Sequence, residues 1–400
     1  MDTHQIRALF EKYVIPNYKR TPLAIVKGQG SWIWDAEGKK YLDLFPSWGT
    51  SGIGHCHPKV VEAVQKQVTK LIHIDNTYYT EGQGRFAEVL STRASGQQCF
   101  FANSGAEAIE GSIKLARLHS HPRYKVITFL NSFHGRTYAA MTATGQPGKQ
   151  KGVEPLVPGF SYAKLNDCDS VRALIDEKTC AILVEPVQGE GGVRPCSKEF
   201  LQGLRKLCEE QNILLIFDEV QTSPARLGSW FGYQYFGIEP DILITAKAIA
   251  GGLPMGVIMA KPDVAKSLIP GIHASTFGGN SIVCAAGIAT FQAIEEEGML
   301  GNIELMGRFI DEKLSDLTSR ISGIKDVRRV GFMVGIELTI PGAGVVNECL
   351  EKGLRVNCTQ ETVLRMLPAF NITEDELGQG FGILDRVLKN AFDRHTSSMR

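Results

Sequence analysis

Between residues 24 and 45 the chain reads "AIVKGQGSWIWDAEGKKYLDLF", with apolar and polar positions alternating and Gly and "DAEGKK" as punctuation. Period-two alternation broken by turn residues predicts a β-meander or hairpin. From about residue 58 to 260 the pattern changes to helix-length stretches separated by short, wholly apolar runs, notably "YKVITFL", "CAILVEP", "ILLIFDEV" and "DILITAK". A run without a polar face predicts a strand buried on both sides, and alternation with helices predicts parallel βαβ units.

From about residue 279 the period lengthens to that of a helix. In "NIELMGRFIDEKLSDLTSRI", Ile303, Met306, Ile310, Leu314 and Leu317 fall on one face. Strand-like "VGFMVGIEL" and "VLRML" follow, and Thr373 with Glu376 forms a capping box that opens a last helix. The expected fold class is α/β, with a mainly parallel central sheet flanked by helices in a large domain over 58–285. A smaller α+β domain over 286–400 completes it, joined by the N-terminal segment 1–57.

Composition changes this picture by exclusion. The 400 residues carry 43 Lys and Arg against 43 Asp and Glu, so no basic excess marks a nucleic-acid or membrane-surface partner, and a small molecule is the expected ligand. The nine cysteines are scattered and never spaced C-x-x-C, which fits neither a disulfide framework nor a zinc site and places the protein in a reducing cytoplasm. The N-terminus lacks the continuous apolar stretch of a signal peptide, and no later run reaches bilayer length.

Open α/β sheets place their sites outside the carboxyl ends of the strands, so the residues just past each apolar run carry the chemistry. After "ILLIF" comes Asp218, an acid that a buried strand tolerates only with a partner. After "DILIT" comes Lys247. Beyond "AILVE" lies Glu190 in "PVQGEGG", and beyond "KVITFL" come Phe133, His134 and Arg136 in "NSFHGRT". Separately, "ANSGAEAIEGSIKLAR" sets Ser104, Gly105 and Ala106 at a helix mouth, where free N–H groups and the helix dipole favour a phosphate.

A lysine, an aspartate, an aromatic ring and a phosphate-ready helix start suit one cofactor, pyridoxal 5'-phosphate. Small and apolar surroundings favour a neutral lysine that attacks a carbonyl, an aspartate keeps a pyridine nitrogen protonated, and Phe133 stacks on the ring. Each residue taken singly has a duller reading. A lone lysine after a strand is ordinarily solvated, and an aspartate there is ordinarily a cap. His55 and His57 in "HCHP" look like metal ligands but have no third ligand nearby, so a structural role and no metal is expected. His134 is a candidate proton shuttle, with Lys247 the better general base.

The chain resembles the class III aminotransferases among the fold-type I pyridoxal phosphate enzymes. "GQGSWIWDAEGKKYLDL", "ANSGAEAIEGSIKLAR", "VEPVQGEGGV", "DEVQT", "AKAIAGGLPMG" and "STFGGNSIVCAA" carry the likeness nearly end to end. "HIDNTYYTEGQ" and "FHGRTYAAMTATGQ" are most similar to the acetylornithine aminotransferases. That implies transfer of the terminal amine of N2-acetyl-L-ornithine to 2-oxoglutarate, giving N-acetyl-L-glutamate 5-semialdehyde and L-glutamate in arginine biosynthesis. The resemblance further implies that Lys247 forms a covalent aldimine with the cofactor and that Asp218 pairs with its ring nitrogen. Gln221 bonds the ring's phenolic oxygen, while Gly105 and Ala106 hold the phosphate together with Thr276 of a second subunit, in a homodimer with interfacial sites. Arg136 and Ser275 receive a substrate carboxylate, and Glu190 covers Arg365, which grips 2-oxoglutarate.

Two stretches depart from the family. "QTSPARLG" stands where "QTGxGRTG" is usual, so Ser223 and Pro224 stiffen a loop near the cofactor, and Trp48 replaces a smaller residue at the pocket entrance. Other ω-aminotransferase donors (ornithine, succinylornithine, succinyldiaminopimelate) and an aminomutase-type isomerase share this framework. A non-catalytic phosphate binder is a third class, although no G-x-G-x-x-G or P-loop is present.

Overall fold

The computed structural model describes residues 1–398. Its N-terminal part is the expected antiparallel meander of Ile25–Gln29, Trp32–Asp35 and Lys40–Asp43. The Asp35 carboxylate shapes the second turn by accepting from the backbone N–H groups of Glu37 and Lys39, and from Tyr41 Oη at 2.7 Å. The third strand then pairs in parallel with Leu354–Arg355, which lies more than three hundred residues away and sets Leu354 against Leu42.

Seven strands form the central sheet, in the order Gln98–Ala102, Gly256–Ala260, Ile242–Thr245, Leu214–Asp218, Thr179–Val184, Lys125–Phe129, Phe160–Ala163. The four apolar runs are its four adjacent middle strands, and every pairing among them is parallel. Gly256–Ala260 runs antiparallel to both of its neighbours. Both faces of the sheet are covered. Leu215, Phe217, Ile182, Val184, Leu243 and Val257 enter one core cluster, while Leu214, Ile216, Ala181, Leu183, Ile242 and Ile244 enter another. Two dry faces leave no polar position along a strand, and each large aliphatic or aromatic side chain so buried contributes about 1.5–3 kcal/mol.

The helix Met299–Arg320 buries the predicted stripe of Ile303, Met306, Ile310, Leu314 and Leu317. The capping box is present: Glu376 Oε2 accepts from Thr373 N at 3.1 Å, and Thr373 Oγ1 accepts from Glu376 N at 3.2 Å. Glu376 also accepts from Trp32 Nε1 at 2.7 Å, which ties the meander to the last helix. "VGFMVGIEL" differs from its expected single strand. The chain turns at Gly331 (φ +55°), between strands Ile324–Val330 and Met333–Leu338. The turn docks on the Asp218 loop, where Arg226 O accepts from Phe332 N at 2.8 Å.

His55 Nε2 lies 2.9 Å from Asp43 and His57 Nε2 lies 3.2 Å from Glu297, so both imidazoles of "HCHP" have carboxylate partners. No helix among the described residues is long and apolar enough to cross a membrane.

Candidate active site

The carboxyl ends of the middle strands open into a cavity of about 440 Å³. Lys247 lies there, two residues past Ile242–Thr245, at the start of a short 3₁₀ turn, Lys247–Ala250, that is followed by Gly251 and Gly252. Its φ of +46° is left-handed, a conformation that costs a non-glycine residue of order 1–3 kcal/mol and persists only where the surroundings enforce it. Burial pulls its amine below the ordinary lysine value, against the opposing pull of the Glu190 and Asp218 charges. Its Nζ makes no hydrogen bond within the described residues, so the amine is available to a ligand.

Asp218 ends the adjacent strand and is buried. Its Oδ2 lies 2.7 Å from His134 Nδ1, and its Oδ1 accepts from Val220 N at 3.0 Å. His134 Nε2 in turn lies 3.1 Å from Thr128 Oγ1. The buried acid thus has the partner that its position demanded, and His134 orients Asp218.

Opposite, Ser104 caps the helix Gly105–His119 by accepting from Glu107 N at 3.2 Å. Gly105 and Ala106, before the capped N–H, line the same cavity. Gln221 lines it as well, with Nε2 donating to Trp48 O at 3.4 Å and Oε1 buried without a partner. Phe133 is half-buried on the wall, with Arg136 Cζ 5.6 Å from its ring centroid.

Glu190 reaches the cavity from its loop, and its Oε1 lies 2.8 Å from Arg365 Nη2. Burial pushes the Glu190 carboxyl up, but the charge and hydrogen bond of Arg365 outweigh it and hold the group below the usual carboxylate range. Arg365, on the strand Val363–Met366, is 1% exposed, bonds Asn357 Oδ1 through Nε and Nη2, and stands 4.8 Å from the Phe45 ring centroid. The Phe45 ring in turn meets that of Trp48 edge-on at 6.0 Å. Ser223 is buried, and its hydroxyl donates to Glu219 O and bonds Thr245 Oγ1, both at 2.8 Å.

The predicted residues Ser104, Gly105, Ala106, Phe133, Arg136, Glu190, Asp218, Gln221 and Lys247 therefore meet in one cavity. Ser275 does not line it, but its Oγ lies 3.2 Å from Nδ2 of Asn103, which does. Thr276 does not line the cavity of its own chain. It is exposed in a separate cleft with Asp75 and Asn76.

Two acids were missed in the sequence. Glu185 lines the cavity and accepts from Phe133 N at 2.9 Å. Its carboxyl stands well above the usual range, through burial first and the Asp218 charge second. The rule that found Asp218 would have found it, because Glu185 also follows an apolar run. Glu219 is fully buried and accepts from Gly232 N and Tyr233 N, and burial pushes it up to about 7.

An unpartnered lysine amine, an oriented buried aspartate, an orphaned amide oxygen and a capped helix start fit pyridoxal phosphate. Comparison with known proteins agrees. The family model for class-III aminotransferases matches residues 13–388. The acetylornithine aminotransferases of Caldanaerobacter subterraneus subsp. tengcongensis and Aquifex aeolicus are each 44% identical to this chain, over 94% of it and 98% and 100% of their own lengths. Among solved structures, the ornithine aminotransferase of Toxoplasma gondii superposes with a TM-score of 0.95 at 28% identity, covering 98% of this chain and 96% of that one. The acetylornithine aminotransferase of Elizabethkingia anophelis gives 0.88 at 30%, covering 97% and 99%. The chain belongs to the class-III aminotransferases, fold-type I enzymes that depend on pyridoxal phosphate.

Proposed function

We propose that this enzyme transfers the terminal amine of N2-acetyl-L-ornithine to 2-oxoglutarate, yielding N-acetyl-L-glutamate 5-semialdehyde and L-glutamate. The observation that carries this reading is the Glu190–Arg365 pair beside the Lys247 cavity. A site that admits a terminal amine and then a 2-oxo diacid needs a cation that is masked for one substrate and bare for the other. Arg365 is held so, with Nη1 buried and unpartnered. Relatives that are 44% identical and bear the acetylornithine name support the choice of donor. Ornithine is the second reading, favoured by the TM-score of 0.95 to an ornithine aminotransferase.

When bound, pyridoxal phosphate supplies the carbonyl that links to amines and a ring that takes up the electron pair released at the substrate carbon. Lys247 would hold it covalently, and its Nζ would move the proton at the reacting carbon. Asp218, aligned by His134, would keep the ring nitrogen protonated. Gln221 would bond the phenolic oxygen and Phe133 would stack on the ring. Ser104, Gly105 and Ala106 hold the phosphate, completed by Thr276 of a second subunit, whose exposed position outside its own cavity is consistent with service to a partner. Arg136, with Ser275 nearby, binds the donor carboxylate. Glu190 swings from Arg365 when 2-oxoglutarate enters.

The same reading makes the protein a cytoplasmic homodimer. It divides the chain at 57 and 285, and the parallel pairing of Lys40–Asp43 with Leu354–Arg355 supports joining the N-terminal segment to the C-terminal domain. A donor panel of acetylornithine, ornithine, succinylornithine and succinyldiaminopimelate with 2-oxoglutarate tests the reading. Acetylornithine is expected to show the highest kcat/KM, and a preference for free ornithine would replace the first reading with the second.

A further inference from the structure

Three carboxyl groups, Glu185, Glu190 and Asp218, line one cavity with a single lysine. Two have cationic or imidazole partners, Arg365 for Glu190 at 2.8 Å and His134 for Asp218 at 2.7 Å. Glu185 has no Lys, Arg or His in ion-pair range among the described residues. It is 7% exposed, and only its Oε2 is engaged, by Phe133 N at 2.9 Å. It stands next to Asp218, since Val184 pairs with Phe217 across the parallel strands.

A buried carboxylate with one hydrogen bond and an anion beside it is the costliest of the three to ionise. We propose that Glu185 is a positioning residue, a neutral acid that anchors the Phe133 peptide through one oxygen and presents an O–H to the cavity through the other. The titratable groups around it are Asp218, Lys247 and Glu190, which line the same cavity, His134, which is bound to Asp218, and Cys196, whose thiol donates to the Glu185 carbonyl at 3.4 Å. The direction of the Glu185 shift agrees with the geometry. With Glu185 neutral, no second anion stands beside Asp218 at the ends of the paired strands. The anchored Phe133 peptide fixes the aromatic wall against which the cofactor ring lies. This deepens the pyridoxal phosphate reading of the cavity and rests on it for the ring contact, but the protonation state stands independently of donor or reaction.

Infrared difference spectroscopy of wild type against Glu185→Gln at neutral pH reads the proton directly. The carboxylic-acid C=O stretch of a buried, protonated group is expected in the wild type and absent from the variant. In parallel, pyridoxal phosphate affinity is measured by equilibrium dialysis for wild type, Glu185→Gln and Glu185→Leu across pH. Gln keeps the acceptor for Phe133 N and a donor to the cavity, so its affinity should stay within about threefold of wild type, while Leu should lose about tenfold or more. Wild-type affinity should fall as Glu185 ionises at high pH, whereas that of Glu185→Gln should not share this fall. An unchanged acid band, or Gln losing as much affinity as Leu, overturns the proposal. If the Leu variant does not fold, the infrared band and the Gln pH profile still decide it. A wild type that shows the acid band, lost in Glu185→Gln, but transfers no amine to 2-oxoglutarate would instead refute only the proposed amine transfer.

Discussion

Arg365 Nη2 lies 2.8 Å from Glu190 Oε1, while Nη1 of the same buried guanidinium has no partner. The arginine is neutralised on one edge and incomplete on the other, so displacing Glu190 frees a two-nitrogen face for a carboxylate. Arg365→Ala is expected to lower kcat/KM for 2-oxoglutarate by about 10- to 150-fold, the value of a charge-assisted hydrogen bond. It should leave the donor half-reaction closer to wild type. Glu190→Ala should do the reverse, with a lower KM for 2-oxoglutarate and a slower donor half-reaction. Separate stopped-flow measurements of the two half-reactions check both, and equal effects on both halves would remove the division of roles.

Asp218 and His134 are both buried and meet at 2.7 Å, so neither is relieved by water if the other is removed. Asp218→Ala should lose more activity than His134→Ala. The double variant should fall short of the sum by about 1 kcal/mol or more, the sign of a shared pathway. A double-mutant cycle on the rate of the donor half-reaction measures it.

Lys247 carries a depressed amine in the folded chain, so folding releases protons there. The cost is full at pH below the depressed value and disappears as pH rises past the ordinary lysine value of 10.5. In cofactor-free protein, Lys247→Met should therefore melt at a higher temperature than wild type at neutral pH. The gap should close as pH approaches that ordinary value. Scanning calorimetry over pH gives the answer, and a gap that widens with pH would reverse the sign.

Gly189 approaches the Gln221 side chain so closely that an added Cβ would lie 1.8 Å from Oε1. The obstructed atom is the end of a flexible side chain, so the fold can yield by moving the amide. Gly189→Ala should keep its stability within about 1 kcal/mol of wild type. It should bind pyridoxal phosphate more weakly, because Gln221 leaves the cavity. Melting curves paired with equilibrium dialysis separate the two effects.

The middle of the sheet was legible because both of its faces are dry, which leaves the apolar runs without a polar face. Lys247 and Asp218 were legible for the related reason that a charge just past such a run needs a purpose. What escaped depends on neighbours distant in sequence. The strand Ile324–Val330 reads as charged "IKDVRRV", and its arginines bond Asp311, Glu337 and the Gly192 carbonyl. The His134–Asp218 bond joins residues 84 positions apart. Glu185 was hidden at the end of a run whose apolar character drew the eye past it. The family resemblance carried Arg365, which no periodicity selects, and paired it with Glu190; the structure places the two in contact.

The most direct measurement supplies acetylornithine labelled at its terminal amine, together with unlabelled 2-oxoglutarate and the purified holoenzyme, and follows the label by mass spectrometry. The account predicts labelled glutamate and N-acetylglutamate 5-semialdehyde in equal amounts, both abolished in Lys247→Ala. Glutamate without label, or label retained in a rearranged donor, would contradict it.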